Sequence, residues 1–409
     1  MIEQITIKNF KSFKDVTLKL GRLNLFIGTN ASGKSNFFDA LRVLQGIGYG
    51  FTLHEILDGK PKSATSEVWE GIRGGSSIAA FAPENYWPTW FEVDGKYGDK
   101  GYDRFKFEIA FSAKEGRLCQ EHLVVSNEDI YDSLGAGVGS LLGVDPVFKV
   151  SYHKGGRGQP PHLKFERGRP VLTQMARGGN GKWTKAHSEK AKRVAHVLAD
   201  MQRIDPSPAL LRGYSQAHEI SRMGERGENF AALIHKICSD SEAKEAYLSW
   251  LRELRPHDVD DVGTLSGAVG EPLLMMKEKG REWPAPVLSD GTLRFAAIAA
   301  AFFQPDMPGV LTIEEIENGV HASRLRLLVE LLRSRTAAGN TQVVVTTHSP
   351  IVLAWLKPEE YATTFYCKRD EETGESQICP LSEIPQFNEI VRKQPISDLF
   401  AEGWMEAAL

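Results

Sequence analysis

The sequence predicts an α/β fold: a mixed or parallel core sheet, an antiparallel N-terminal lobe, a helical insertion and no long coiled coil. Three observations lead there. Continuous apolar runs at residues 23–27, 310–313 and 341–346 read as short buried strands, and each runs into a polar motif. Residues 2–10 alternate around Ile5 and Ile7, and Val16-Thr17-Leu18-Lys19-Leu20 reads as a second strand of the same lobe. No heptad pattern is sustained, and no internal repeat is visible.

The remaining elements follow in order. Residues 28–35 form a loop and 36–44 a helix, whereas the Gly-, Pro- and Trp-containing stretch 51–101 reads as irregular. Strands are expected at 105–111, 118–125, 147–152 and 162–165, and helices at 188–201, 229–238, 241–254 and 293–303. A helix over 322–335 links the strands at 310–313 and 341–346. Residues 361–367 and 376–379 form a hairpin around Glu372-Thr373-Gly374. One head of three approximate parts is expected: an N-terminal lobe (1–150), a basic and helical insertion (151–284) and a C-terminal lobe (285–409).

Composition bounds the function. The chain has 409 residues, 42% hydrophobic and 25% charged, a globular profile that excludes a mostly disordered or collagen-like protein. The net charge of −4 excludes a bulk polycation, so contact with nucleic acid would need a local patch. Cys119, Cys238, Cys367 and Cys379 form no C-x-x-C pair, which argues against a structural zinc site or a disulfide framework and fits a reducing compartment. Met1-Ile2-Glu3-Gln4 has no signal-peptide character, and the apolar run 296–303 is too short to span a bilayer. A cytoplasmic protein with no membrane partner is expected.

Four motifs carry chemistry. Gly28-Thr29-Asn30-Ala31-Ser32-Gly33-Lys34-Ser35 is a complete G-x-x-x-x-G-K-S between a buried strand and a helix that opens with Asn36. Its glycines let backbone N–H groups turn inward onto phosphate oxygens, and the helix adds its positive end. Lys34 should reach the β- and γ-phosphates of ATP, and Ser35 should ligate Mg²⁺. The second motif, Gly309-Val310-Leu311-Thr312-Ile313-Glu314-Glu315, ends a buried strand in two carboxylates. Neighbouring strand residues face opposite ways, so the two have different tasks. Glu314 is assigned to the metal shell, although aspartate is commoner there, and Glu315 to polarising the attacking water. The third, Leu288-Ser289-Asp290-Gly291-Thr292, precedes an apolar helix and reads equally as an N-cap and as an anion-binding helix start. The fourth, Val343-Val344-Val345-Thr346-Thr347-His348-Ser349-Pro350, delivers His348 to a strand's C-terminal end, where ligands bind open α/β sheets. Sensing of the γ-phosphate is preferred over a structural role for it.

The order of these motifs resembles ATP-binding-cassette ATPases of the RecF/SMC-like branch. Ile5-Thr6-Ile7-Lys8-Asn9-Phe10-Lys11-Ser12-Phe13 looks like that branch's first strand and turn, and residues 28–35 look like its Walker A. Residues 288–292 look like its signature loop, with Asp290 where many members have glycine. Glu314-Glu315 looks like Walker B with the catalytic glutamate, Asn318-Gly319-Val320-His321 like the D-loop and His348 like the switch histidine. Ile316 and Ala322 stand where many relatives have proline, and Gln120 is a candidate for the Q-loop. The likeness is tightest over 1–45 and 285–355. Arg226-Gly227-Glu228-Asn229-Phe230-Ala231 looks like an element of single-chain AAA family ATP-binding proteins, which are similar to the ATPase half of OLD-family nucleases and occur in bacterial antiphage defence. The resemblance implies a homodimer, or a higher homo-oligomer, closed around ATP, with Ser289 and Gly291 of one subunit over the nucleotide of the other.

Charge is uneven. Residues 149–196 hold roughly twelve Lys/Arg against two acids, and residues 358–409 carry roughly −7. Lys154, Arg157, Arg167, Arg169, Arg177, Lys182 and Lys185 could form a patch for nucleic acid or a partner, or simply a solvated insertion. Trp69, Trp87 and Trp90 are taken as core residues ahead of interface anchors. After His348 there is no D-x-D pair of the kind that binds metal in the TOPRIM nucleases fused to OLD ATPases, so an effector is expected on a separate polypeptide. The acidic tail (Ile384, Phe387, Ile390, Val391, Ile396, Leu399, Phe400, Trp404) is either its dock or part of this protein's own core. The first functional reading is an ATPase that controls a separate effector, with a nuclease as the expected class, in antiphage defence. The alternatives are a RecF-like repair ATPase that binds double-stranded DNA directly and a nucleotide-gated scaffold with negligible turnover.

Overall fold

The computed structural model describes residues 1–61, 69–82, 87–98, 103–133, 146–153, 160–178, 182–216, 220–254, 259–339 and 341–409. It divides into two compact units that interleave along the chain: Met1–Gly21, Thr29–Met201 and Cys367–Cys379 form the first, and Arg22–Gly28, Gln202–Tyr366 and Pro380–Leu409 the second.

The first unit is built on an eight-stranded sheet. Strands β1 (Ile2–Phe10) and β2 (Phe13–Lys19) form an antiparallel hairpin with Ile5 opposite Leu18 and Ile7 opposite Val16. The chain then supplies β3 (Leu23–Ile27) to the second unit and returns as α1 (Lys34–Tyr49) and α2 (Leu53–Asp58). The sheet continues with β4 (Thr89–Tyr97), β5 (Asp103–Ser112), β6 (Arg117–Val125), β7 (Glu128–Asp132), β8 (Val147–Tyr152) and β9 (His162–Glu166), in the order β2-β1-β4-β5-β6-β7-β8-β9. Helices α3 (Val171–Ala176) and α4 (Lys185–Ala199) complete the unit. Helix α1 buries Phe37, Phe38, Leu41, Leu44 and Ile47, each contributing roughly 1.5–3 kcal/mol of burial. At Gly48 the helix passes so close to α4 that a Cβ would land on the Ala199 backbone.

One expectation is corrected here. Residues 89–97 were expected to be irregular, yet β4 is a full strand paired with both β1 and β5, and its burial alternates strictly. Its signal is diluted by Gly95, which the fold needs, because a Cβ there would lie 2.6 Å from Cζ of Phe105. Trp69 is a core residue, its indole N–H donating to the Ile56 carbonyl at 3.3 Å, and Trp90 is half-buried, but Trp87 is 73% exposed.

In the second unit, β10 (Met201–Ile204), α5 (Pro208–Leu211), α6 (Phe230–Cys238) and α7 (Ser241–Leu254) lead into a three-stranded antiparallel sheet. That sheet comprises β11 (Val259–Ser266), β12 (Pro272–Glu278) and β13 (Arg281–Pro284), all unforeseen in the sequence. Then follow α8 (Asp290–Ala300), β14 (Val310–Ile313), α9 (Leu325–Ala338), β15 (Gln342–Thr347), α10 (Pro350–Leu353) and β16 (Thr364–Arg369). The unit's sheet has the order β10-β14-β15-β3-β16, and β14, β15, β3 and β16 pair in parallel. Strand β16 turns into β17 (Ser376–Pro380), and residues 367–379 count with the first unit.

The tail forms α11 (Phe387–Ile390), α12 (Ile396–Ala401) and α13 (Trp404–Ala408). Phe387 is fully buried against Tyr361, Leu399 is buried, and Phe400 packs on Tyr366. Ile384, Phe387, Ile396 and Leu399 are thus spent on the unit's own core, the preferred of the two readings of the tail, while Ile390, Val391, Phe400 and Trp404 are half-buried. All four cysteines are free thiols.

A buried carboxylate ties α3 to the sheet. Glu121 of β6 accepts from the N–H groups of Val171 (2.8 Å) and Leu172 (2.7 Å) and from the Tyr131 hydroxyl (2.7 Å). Burial outweighs these donors and pushes its pKa up to about 7. A carboxyl whose pKa is raised on folding stabilises fully below its ordinary value, and that contribution is lost as pH rises through the folded value. Stability should therefore fall between about pH 4.5 and 7, by an amount on the order of 3 kcal/mol. Urea unfolding of Glu121→Gln should show a flatter dependence on pH over this window than the wild type, and an unchanged slope would rule out this origin.

Candidate functional site

The loop after β3 is shaped by backbone requirements. Gly28 (φ 153°), Ala31 (φ 64°) and Gly33 (φ 103°) all have positive φ, the kind of backbone from which anion-binding nests are built. A Cβ on Gly33 would meet Oγ of Ser376 at 2.5 Å and Oγ of Ser12 at 3.2 Å, so glycine is required by space as well as by conformation. Helix α1 starts at Lys34, two residues earlier than expected, with no side-chain cap and no acid in its first turn. Its positive dipole end is left for an anion. Lys34 is 8% exposed and donates from Nζ to the Thr29 carbonyl at 2.7 Å. The cradle that only glycine permits, the uncapped helix and the inward lysine together fit a polyphosphate.

The β1–β2 turn braces this loop from behind. Asn36 donates to Oγ of Ser12 at 2.7 Å, and the Ser12 carbonyl accepts from the Ser376 N–H at 2.7 Å. Buried Lys11 pairs with Asp39, one turn into α1, and burial pulls the lysine's pKa below its usual range. Arg73 shares Asp39 at 3.2 Å and donates to the Ser35 carbonyl. Neither Asp39 nor Arg73 carries a sequence signal beyond its charge.

In the second unit the ends of β14 and β15 meet. The Glu315 N–H donates to Oγ1 of Thr346 at 2.9 Å, and the Ile316 N–H donates to the Thr346 carbonyl at 3.1 Å. Glu315 is exposed and held at φ 46°, a strained conformation for a side chain of its size. Glu314 is half-buried and lies 3.3 Å from Arg203 of β10. His348 lies against Glu317, with its Nδ1 3.0 Å from Oε1. Arg203 and Glu317 were not singled out in the sequence, since their roles come from contacts made across the sheet.

The 288–292 loop lies in the same unit. Ser289 is the N-cap of α8, accepting from the Thr292 N–H at 3.2 Å, so the capping reading holds locally. Arg212 holds the loop through Asp290 (2.5 Å) and the Leu288 carbonyl (3.0 Å). Gly291 is pressed against the turn after β14, where a Cβ would meet the Gly319 carbonyl oxygen at 2.6 Å. One turn into α8, Arg294 is 5% exposed and donates to Asp205 (3.1 Å), the Pro206 carbonyl (2.9 Å) and the Glu314 carbonyl (3.5 Å). A lone basic residue in a mostly apolar helix was the available signal for it. Residues 226–229 form a turn that leads into α6, where Asn229 accepts from the Gly224 N–H at 2.7 Å and donates to the Arg222 carbonyl at 2.9 Å. Gln120 sits mid-strand in β6 opposite Ala110 and is no loop residue.

The basic segment is less available than its composition suggests. Lys154 and Arg157 lie outside the described residues. Arg167 is 5% exposed and donates to the Leu118 carbonyl at 2.9 Å, which removes it from any surface patch. Arg169 and Arg177 both donate to the Gly50 carbonyl at the end of α1, so they act as structural clamps. Lys190 pairs with Glu128. Lys182 and Lys185 are exposed.

Comparison with known proteins agrees with this geometry. Residues 1–52 match the family "AAA ATPase domain", and residues 249–354 match "AAA domain, putative AbiEii toxin, Type IV TA system". An ATP/GTP phosphatase of Helicobacter pylori (strain ATCC 700392 / 26695) is 23% identical over 91% of this chain and 93% of its own length. An SMC head solved with the C-winged helix domain of ScpA has a TM-score of 0.51 at 14% identity, covering 92% of this chain and 96% of its own. The SMC head domain of Thermotoga maritima gives a TM-score of 0.44 at 12% identity, over 93% of this chain and 98% of its own. Two stretches of the chain thus match AAA-type ATPase domain families, and its mixed α/β fold is like that of the SMC head solved with ScpA. Among the described residues no helix is long and apolar enough to cross a membrane.

Gly33→Ala should cost about 1–3 kcal/mol in urea unfolding, from its strained φ and the collision with Ser376. Adding Ser376→Gly should return part of that loss, whereas wild-type stability of the single variant would contradict the cradle geometry.

Proposed function

We propose that this chain binds and hydrolyses ATP, closes as a homodimer around the nucleotide, and thereby controls a separate effector protein. The observation that carries the reading is the anion-ready start of α1: an uncapped helix, a loop with the positive φ values of an anion-binding nest, and a buried lysine directed along it. Residues 28–36 hold the phosphates. Ser35 and Glu314 are the proposed Mg²⁺ ligands. Among the described residues no group of three or more His, Cys, Asp or Glu could hold a metal alone. That suits an ion bound through one or two protein groups, phosphate oxygens and water. Bound Mg²⁺ would neutralise charge on the phosphates.

Glu315, exposed beyond the strand end, polarises the attacking water, and His348 meets the γ-phosphate. Leu288, Ser289, Asp290, Gly291 and Thr292 close over the nucleotide of a second copy, the N-cap of α8 offering its hydroxyl and N–H groups. Dimerisation would make hydrolysis cooperative, with ATP as the adhesive and its hydrolysis as the release.

Support for a separate effector comes from the SMC head of the same fold, which was solved with the C-winged helix domain of ScpA. A defence role with a nuclease as effector follows from the resemblance to single-chain AAA proteins. The clamping roles of Arg167, Arg169 and Arg177 weigh against direct DNA binding through residues 149–196.

Lys34→Ala should abolish ATP binding by calorimetric titration. Glu315→Gln should keep binding, lose at least about 100-fold in kcat and double in solution mass only with Mg-ATP. Turnover at the wild-type rate would overturn the assignment of Glu315, and an assembly independent of ATP would overturn the composite site.

A further inference from the structure

One buried acid has no task in this reading. Glu317, in the turn after β14, has a side chain only 9% exposed. Its Oε1 accepts from the main-chain N–H of His348 at 2.7 Å and lies 3.0 Å from Nδ1 of the same residue. Its Oε2 is buried with no hydrogen-bond partner among the described residues. The turn that carries it is held at several points: Asn318 N–H to the Glu315 carbonyl (2.8 Å), Val320 N–H to the Glu317 carbonyl (3.0 Å) and Ile316 N–H to the Thr346 carbonyl (3.1 Å). The turn is therefore fixed, its carboxylate tied to the His348 main chain, and the His348 ring is 49% exposed with Nδ1 beside that carboxylate.

Oε1 of Glu317 lies 3.0 Å from Nδ1 of His348, within reach of a proton carried there, and an ionised carboxylate can only accept it. We propose that Glu317 is the positioning residue of His348. It holds the ring with Nδ1 turned to the carboxylate and leaves Nε2 facing outward, where the doubly protonated ring donates to an anion. This rests on the function proposed above, in which that anion is the terminal phosphate of ATP. The labour of the two acids is then divided: Glu315 serves the water and Glu317 serves the histidine.

The test uses the full chain labelled with ¹⁵N-histidine, the His348 ring signals being identified by their loss in His348→Gln. In the wild type Nδ1 should be protonated, whether the ring is neutral or charged. In Glu317→Ala the proton should move, wholly or in part, to Nε2. In the ATPase assay Glu317→Ala should lower kcat about 10–100-fold with KM for ATP changed less than about twofold. Glu317→Ala combined with His348→Gln should be no slower than His348→Gln alone, because the two act as one unit. An unprotonated Nδ1 in the wild type, an unchanged ring pattern in Glu317→Ala, or losses that multiply would each overturn the proposal. Should Glu317→Ala not fold, the wild-type ring spectrum decides alone. A wild type that hydrolyses no ATP would sink the proposed function, while the ring spectrum would still decide the Glu317–His348 pair.

Discussion

The polar end of the second unit depends on the register between two parallel strands. Val310 lies opposite Gln342 and Ile313 opposite Val345, which places the acids after β14 beside Thr346 and His348 after β15. Both strands are buried along their whole length, so they hold their place by apolar packing on both faces and leave chemistry to their ends. A slip of one residue would turn every side chain to the other face and separate Glu315 from Thr346. Arg294 then joins the α8 helix to the same place through the Glu314 carbonyl.

The first unit meets a different constraint. Its loop must expose backbone donors without collapsing onto them, and it does so by occupying positive φ at three positions and bracing the result from the β1–β2 turn. Asp39 is the anchor of that brace, held between Lys11 and Arg73. The far end of α1 is secured by Arg169 and Arg177 on the Gly50 carbonyl. Two arginines that look in the sequence like part of a nucleic-acid patch therefore both donate to one carbonyl at the C-terminal end of this helix.

How much was legible follows from where each signal resides. Strands 23–27, 310–313 and 341–346 were legible because strands buried on both faces are continuous apolar runs. Residues 28–35 were legible because backbone geometry leaves glycine no substitute there. Strand β4 was missed because Gly95 and the surrounding Pro and Trp residues mask an alternation that is regular in space. Strands β11 to β13 were missed because Asp260, Asp261 and Gly263 read as loop residues. Glu317, Arg294 and Arg203 escaped for another reason: each is an ordinary charge until the fold supplies its partner. The same holds in reverse for Arg167, whose charge was legible and whose burial was not.

The central claim, an ATPase completed by a second copy, is tested most directly by steady-state phosphate release from the wild-type chain as a function of protein concentration. Specific activity that rises with concentration to a plateau is the predicted result, since each site would need the 288–292 loop of another subunit. Activity per chain that stays constant under dilution, or no phosphate release at any concentration, would contradict it.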